Sequence, residues 1–92
     1  MAAKQQDQQP PNQAAHDRDR LSAVIGRHVL LTLGQPHDFH KVQVRPLWDA
    51  HYRVNVLVGV DAAATRVAHS YFVVADAAGN ILGSTPALAK QY

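Results

Sequence analysis

The stretch HYRVNVLVGV, residues 51–60, decides the fold because its apolar side chains recur at every second position. Tyr52, Val54, Val56, Val58 and Val60 alternate with His51, Arg53, Asn55, Leu57 and Gly59. A period of two is typical of a β-strand with one buried face and one face in solvent. The stretch therefore predicts a sheet whose two faces differ in chemistry.

The residues on both sides of this stretch predict further strands. Before it, Val42 and Val44 alternate with polar residues, and Pro46 ends the strand because proline donates no ladder hydrogen bond. After it, the predicted strands are Thr65–Ala75 and Ile81–Ser84, separated by DAAGN at 76–80, a tight turn with Gly79 at positive φ. Short connections between consecutive strands favour an antiparallel meander.

The pattern upstream has the period of a helix. Apolar residues recur at steps of three and four, which predicts an amphipathic helix over Asp17–Leu33. We expect Asp17 or Asp19 to cap its first turn and Gly34 to end it. A strand at 28–33 is the alternative.

Together these patterns predict an α+β fold, with one N-terminal amphipathic helix packed on an antiparallel β-meander of three to four strands. Thr85 and Pro86 favour a helix start, so a short C-terminal helical turn is also expected. Residues 1–16 are rich in Gln and Pro without an apolar period and predict a disordered tail. Residues 17–92 then form a single small domain.

Composition excludes several classes of protein. The chain has 92 residues, no cysteine and a net charge of +2, and all its seven acidic residues are Asp. Disulfides and thiolate metal sites are therefore excluded, and we expect no cofactor. No apolar run is long enough to span a membrane, and the first residues lack the apolar region of a secretory signal. We expect a cytoplasmic protein without a membrane partner.

The histidines are the first candidates for chemistry. His37, His40 and His51 lie near Asp residues and supply ligands that suit zinc or nickel, but their spacing matches no metal motif. We therefore expect exposed loop histidines and no metal. His28 and His69 fall on predicted apolar faces, which favours hydrogen-bonded core histidines, with a pH-sensitive pair as the alternative.

Catalytic constellations are absent from the sequence. Ser70 and His69 are neighbours on a predicted strand, so their side chains point to opposite faces and form no dyad. GNILGS lacks the lysine of a phosphate-binding loop, and the chain has no Glu for acid–base work. We expect that the protein is not an enzyme.

The two faces of the predicted sheet carry different side chains. The face assigned to the helix holds Val42, Val44, Tyr52, Val54, Val56, Val58, Val67, His69, Tyr71 and Val73. The opposite face holds Lys41, Gln43, Arg45, His51, Arg53, Asn55, Leu57, Arg66, Ala68, Ser70, Phe72, Val74 and Ile81. A slip of one residue in either hairpin would exchange the faces of that strand.

An apolar patch on the opposite face predicts a protein interface. Leu57, Phe72, Val74 and Ile81 would expose more apolar surface than a monomer usually does. Packing two copies sheet on sheet, or binding another protein, would cover this patch. We therefore predict a non-catalytic binding or assembly module that associates with itself or another protein.

The alternative is binding of single-stranded nucleic acid by the same face. Lys41, Arg45, Arg53 and Arg66 would neutralise phosphates, and Phe72 would stack a base. The affinity of such binding would fall as the salt concentration rises, with a slope set by about four phosphate contacts at most.

The element order also resembles that of double-stranded RNA-binding domains, which place three strands between two helices. The Lys-rich start of their second helix is missing, since STPALAKQY offers only Lys90. DAAGNIL after an aromatic strand is similar to PepSY-type domains. Neither resemblance extends to enough residues to identify a family.

Overall fold

A computed structural model describes the backbone of residues 2–92 and the side chains of residues 17–92. Its elements are α1 (Ala2–Leu33), β1 (Phe39–Pro46), β2 (His51–Val58), β3 (Arg66–Ala75) and β4 (Ile81–Thr85), with a 3-10 turn at Ala62–Ala64. The four strands form one antiparallel sheet in chain order, and α1 packs on one face. The predicted α+β fold is confirmed, with four strands in the meander.

Helix α1 begins earlier than the sequence predicts. Its backbone is helical from Ala2, so Asp17 and Asp19 lie within the helix and cap no first turn. The sequence of residues 1–16 has no apolar period, which explains the late predicted start. The side chains of the predicted tail lie outside the described residues, and the tail stays a prediction.

The end of α1 agrees with the prediction. Gly34 has a φ of 87°, and its amide donates to the carbonyl of Leu30 at 2.8 Å. A left-handed glycine just after the last turn is the common way to satisfy a terminal carbonyl.

One core joins helix and sheet. Its fully buried side chains come from every fourth residue of α1 and from alternate positions of the central strands: Ile25, Val29, Leu33, Val54, Val56 and Val73. Burial along β2 alternates strictly between half-buried and buried residues. The helix therefore covers the face that the sequence assigns to it.

Val67 is a predicted inner residue that lies on the other face. Val56 pairs with His69 across the β2–β3 ladder. The next residue, Leu57, pairs with Val67 and leaves Ala68 as the extra residue of a β-bulge. Val67 is consequently 52 % exposed.

The same bulge moves Arg66 to the helix side of the sheet. Arg66 pairs with Val58, whose side chain is buried in the inner layer. Directly opposed residues share a face, so the prediction that Arg66 joins the basic face is wrong. Because successive side chains of a strand point to opposite faces of the sheet, one extra residue moves the side chains beyond it to the other face.

A second register shift removes Ile81 from the predicted apolar patch. Val74 pairs with Gly83, but Ala75 pairs with Ile81, which leaves Leu82 unpaired between them. Ile81 packs against the core beside the buried Ala75, whereas Leu82 is 66 % exposed. The prediction that Ile81 belongs to the apolar patch of the opposite face is therefore wrong.

The C-terminal segment, residues 86–92, contains no helical turn in the described chain. The amides of Gln91 and Tyr92 both donate to the carbonyl of Leu33, at 2.8 and 2.9 Å. The Tyr92 hydroxyl lies 2.7 Å from Nε2 of His69. The predicted turn is wrong because so short a segment does not offset the cost of helix nucleation, and its backbone satisfies the end of α1 instead.

The turn between β3 and β4 contacts α1. Gly79 has a φ of 87° as predicted, and its carbonyl lies 2.7 Å from Nδ1 of the half-buried His28. The Asp76 carboxylate accepts the amides of Ala78 and Asn80, and the hydrogen bond from the Asn80 backbone lowers the pKa of Asp76 most. His28 is thus a hydrogen-bonded histidine at the edge of the core.

Candidate binding surface

The sheet face that α1 leaves open is called the outer face here. Its side chains form cross-strand rows, because directly paired residues of antiparallel strands share a face. The outer face consists of Lys41, Gln43 and Arg45 from β1; His51, Arg53, Asn55 and Leu57 from β2; Val67, Ser70, Phe72 and Val74 from β3; and Gly83 and Thr85 from β4.

The guanidinium of Arg53 contacts two neighbouring side chains on the outer face. Its guanidinium carbon is 4.2 Å from the centroid of the Phe72 ring, a cation–π contact. Its Nη1 donates to the hydroxyl of Ser70 at 2.9 Å, and Ser70 donates to the Asn55 side-chain oxygen at 2.6 Å. The guanidinium is therefore fixed in place by neighbouring side chains.

The strand positions of the outer face carry positive charges and no carboxylate. Arg45 lies directly opposite Arg53, an arrangement that destabilises an antiparallel pair, and the exposed Lys41 lies on the same face of β1. No Asp occupies a strand position on this face of the described chain, and the sequence holds no Glu. An anionic partner would relieve this repulsion.

The β1–β2 hairpin adds an aromatic side chain that the sequence analysis does not single out. Trp48 is 61 % exposed, and its ring stacks on the imidazole of His51 with the centroids 5.0 Å apart. The amide of His51 donates to the carbonyl of Trp48 at 2.8 Å, and Asp49 completes the turn with a φ of 49°. The Trp48–His51 stack therefore stands at the end of the outer face.

The three metal candidates are not brought together. His37 and His40 lie near the start of β1, whereas His51 begins β2 at the other end of the hairpin. Six residues of extended strand separate His40 from Pro46, whose partner adjoins His51, a span of roughly 20 Å. Within the described side chains, no group of three His or Asp residues could hold a metal ion.

The structure places His69 and Ser70 on opposite faces, as the sequence predicts. His69 lies on the helix side and contacts Tyr92, while Ser70 is engaged on the outer face by Arg53 and Asn55. These two side chains therefore form no nucleophile–base pair.

A groove of about 650 Å³ lies between α1 and β1, away from the outer face. Leu30, Leu31 and Val42 supply apolar walls, and Arg27 and Gln35 supply the polar groups among its lining residues. Its size is that of a small-molecule site. The lining offers one cation and no acid–base pair.

Comparison of the chain with protein-family models, curated proteins and solved structures finds no match. In the part of the chain that the structure describes, no helix has the length and apolar character needed to cross a membrane.

Proposed function

We propose that the protein is a small, non-catalytic module that binds single-stranded nucleic acid through the outer face. The observation that carries the proposal is the guanidinium of Arg53, which lies 4.2 Å over the Phe72 ring and opposite Arg45, on a face whose strand positions hold no carboxylate. A cytoplasmic location, expected from the sequence, is part of the same proposal.

The Arg53–Phe72 pair supports base stacking. Unpaired bases stack on aromatic rings and on arginine guanidinium planes. One face of the Phe72 ring already carries the guanidinium, so the planar guanidinium backed by the ring is the surface on which a base stacks. Ser70 fixes its orientation, which lowers the entropy lost on binding.

The cations on the outer face support phosphate binding. Lys41 and Arg45 are exposed on β1, where Arg45 lies directly opposite Arg53 and Lys41 lies opposite Leu57 further along the same face. With Arg66 on the helix side, three cations remain for phosphates instead of the four expected from the sequence.

The salt dependence of binding tests the proposal. Three phosphate contacts on a single strand give a slope of about −2 in log affinity against log salt. Affinity for an oligothymidylate should therefore fall about 20-fold between roughly 50 and 200 mM salt. Fluorescence anisotropy of a labelled strand measures this, with the matching duplex as the control. Absence of binding at low salt, or equal affinity for the duplex, would contradict the proposal.

Self-association through the outer face is the second candidate. Leu57, Phe72 and Val74 remain on this face, and the bulge adds the exposed Val67. Packing two outer faces together would also oppose the arginines of both copies, with no carboxylate at the paired strand positions to compensate them. We therefore rank this candidate second.

Light scattering distinguishes the two candidates. The nucleic-acid proposal expects a monomer at high protein concentration and moderate salt. A dimer that Phe72→Ser or Leu57→Asn dissociates would instead favour self-association through the outer face.

A further inference from the structure

Trp48 is an exposed aromatic residue that is not part of the hydrophobic core. It is 61 % exposed in a hairpin turn, and it is the only tryptophan in the chain. Large aromatic rings dominate binding surfaces because they supply much contact area at a low entropy cost.

The stack with His51 holds the indole at the end of the basic row. His51 occupies the outer-face position next to Arg53 along β2, about 7 Å away at the usual strand rise. The indole and imidazole planes are within 24° of parallel, so one face of the indole is supported and fixed. The exposed part of the ring lies beyond Arg45, where β1 ends in the hairpin.

We propose that Trp48 is a base-stacking residue of the outer face. The indole, backed by His51, takes a base adjacent to the base that stacks on Arg53 and Phe72. Two stacking positions require unpaired bases, so Trp48 makes the surface selective for single strands over duplexes. This inference rests on the proposed nucleic-acid function and names the residue that completes its site.

Intrinsic fluorescence tests this inference directly, because all tryptophan emission comes from Trp48. An unlabelled oligothymidylate of about twelve nucleotides, within the usual range of site sizes, is the probe. We expect it to quench the emission, with saturation at the same concentration as the anisotropy signal of the labelled strand. Stacking of one base by an aromatic side chain predicts that Trp48→Leu weakens binding at least about fivefold.

Two variants serve as controls. Trp48→Phe keeps a smaller ring and should retain part of the affinity. Tyr92→Leu removes an exposed aromatic residue near the end of α1, away from the outer face, and should leave the affinity unchanged. Thermal unfolding of Trp48→Leu should match that of the parent protein, because the indole is largely exposed.

The outcomes separate this inference from the proposed function. Salt-dependent binding in anisotropy, with unchanged tryptophan emission and unchanged affinity of Trp48→Leu, would overturn the inference and leave the proposed function standing. Absence of binding in anisotropy would overturn both. Quenching together with weaker binding of Trp48→Leu would support both.

Discussion

Replacing Arg45 and Arg53 together by alanine is expected to weaken binding of a single-stranded oligonucleotide at least about tenfold near 0.15 M salt. The two residues face each other across the β1–β2 ladder and are two of the three cations of the proposed phosphate-binding surface. The salt slope should fall from about −2 to about −0.7, because one cation remains. The loss should be similar for all base sequences, since phosphate contacts carry no sequence information.

A matched pair of substitutions controls for net charge. Arg27→Ala with Arg66→Ala removes the same charge, but Arg27 lies in α1 and Arg66 lies on the helix side of the sheet. This pair should leave most of the affinity intact. Equal losses for the two pairs would mean that the basic chain binds polyanions without a site, and the proposal would then fail.

Gly79→Ala is expected to lower the free energy of unfolding by about 2–4 kcal/mol, from the strain of a left-handed residue and from overpacking. Gly79 has a φ of 87°, and an added Cβ would lie 2.6 Å from Cγ1 of Val24. The β-branched Val24 on α1 has little freedom to move away. For a domain of this size the loss corresponds to a melting temperature lower by roughly 10–25 °C.

Gly83 offers the control for this substitution. A Cβ added at Gly83 meets no atom within 4 Å, and Gly83 has no positive φ. Gly83→Ala should therefore change the melting temperature little. Adding Val24→Ala to Gly79→Ala should recover part of the lost stability, because it removes the clashing methyl group. Equal melting temperatures for the two glycine variants would contradict the docking of this turn on α1.

Much of the fold could be predicted because burial on one side imposes a period on the sequence. The alternation in β2 and the three- and four-residue steps in α1 each record which side chains reach the core. Gly79 was predictable because its turn needs positive φ. The start of α1 was not, since the sequence of residues 2–16 carries no apolar period.

The candidate site could be predicted in part. Pairing of the strands around their turns correctly placed Phe72 beside Arg53. Arg66 and Ile81 were misplaced because a β-bulge inserts one residue without a recognisable sequence signal, and each bulge exchanges the faces beyond it. Trp48 was missed because a turn has no period that shows where a side chain points.

His28 and His69 each contact a group from a distant part of the chain. His28 contacts the carbonyl of Gly79, and His69 contacts the hydroxyl of Tyr92. Each contact ties α1 or the C-terminal segment to the sheet. These contacts agree with the expectation that both histidines are hydrogen-bonded.

Side-chain nuclear magnetic resonance during titration with a single-stranded oligonucleotide tests the central claim most directly. We predict that the indole N–H of Trp48, the side-chain amide of Asn55 and the Nε–H of Arg53 shift together as the strand binds. The side-chain amide of Gln35, which lines the groove between α1 and β1, should stay unchanged. Shifts confined to Gln35 and its neighbours, with the signals of the outer face unmoved, would contradict the assignment of the binding surface.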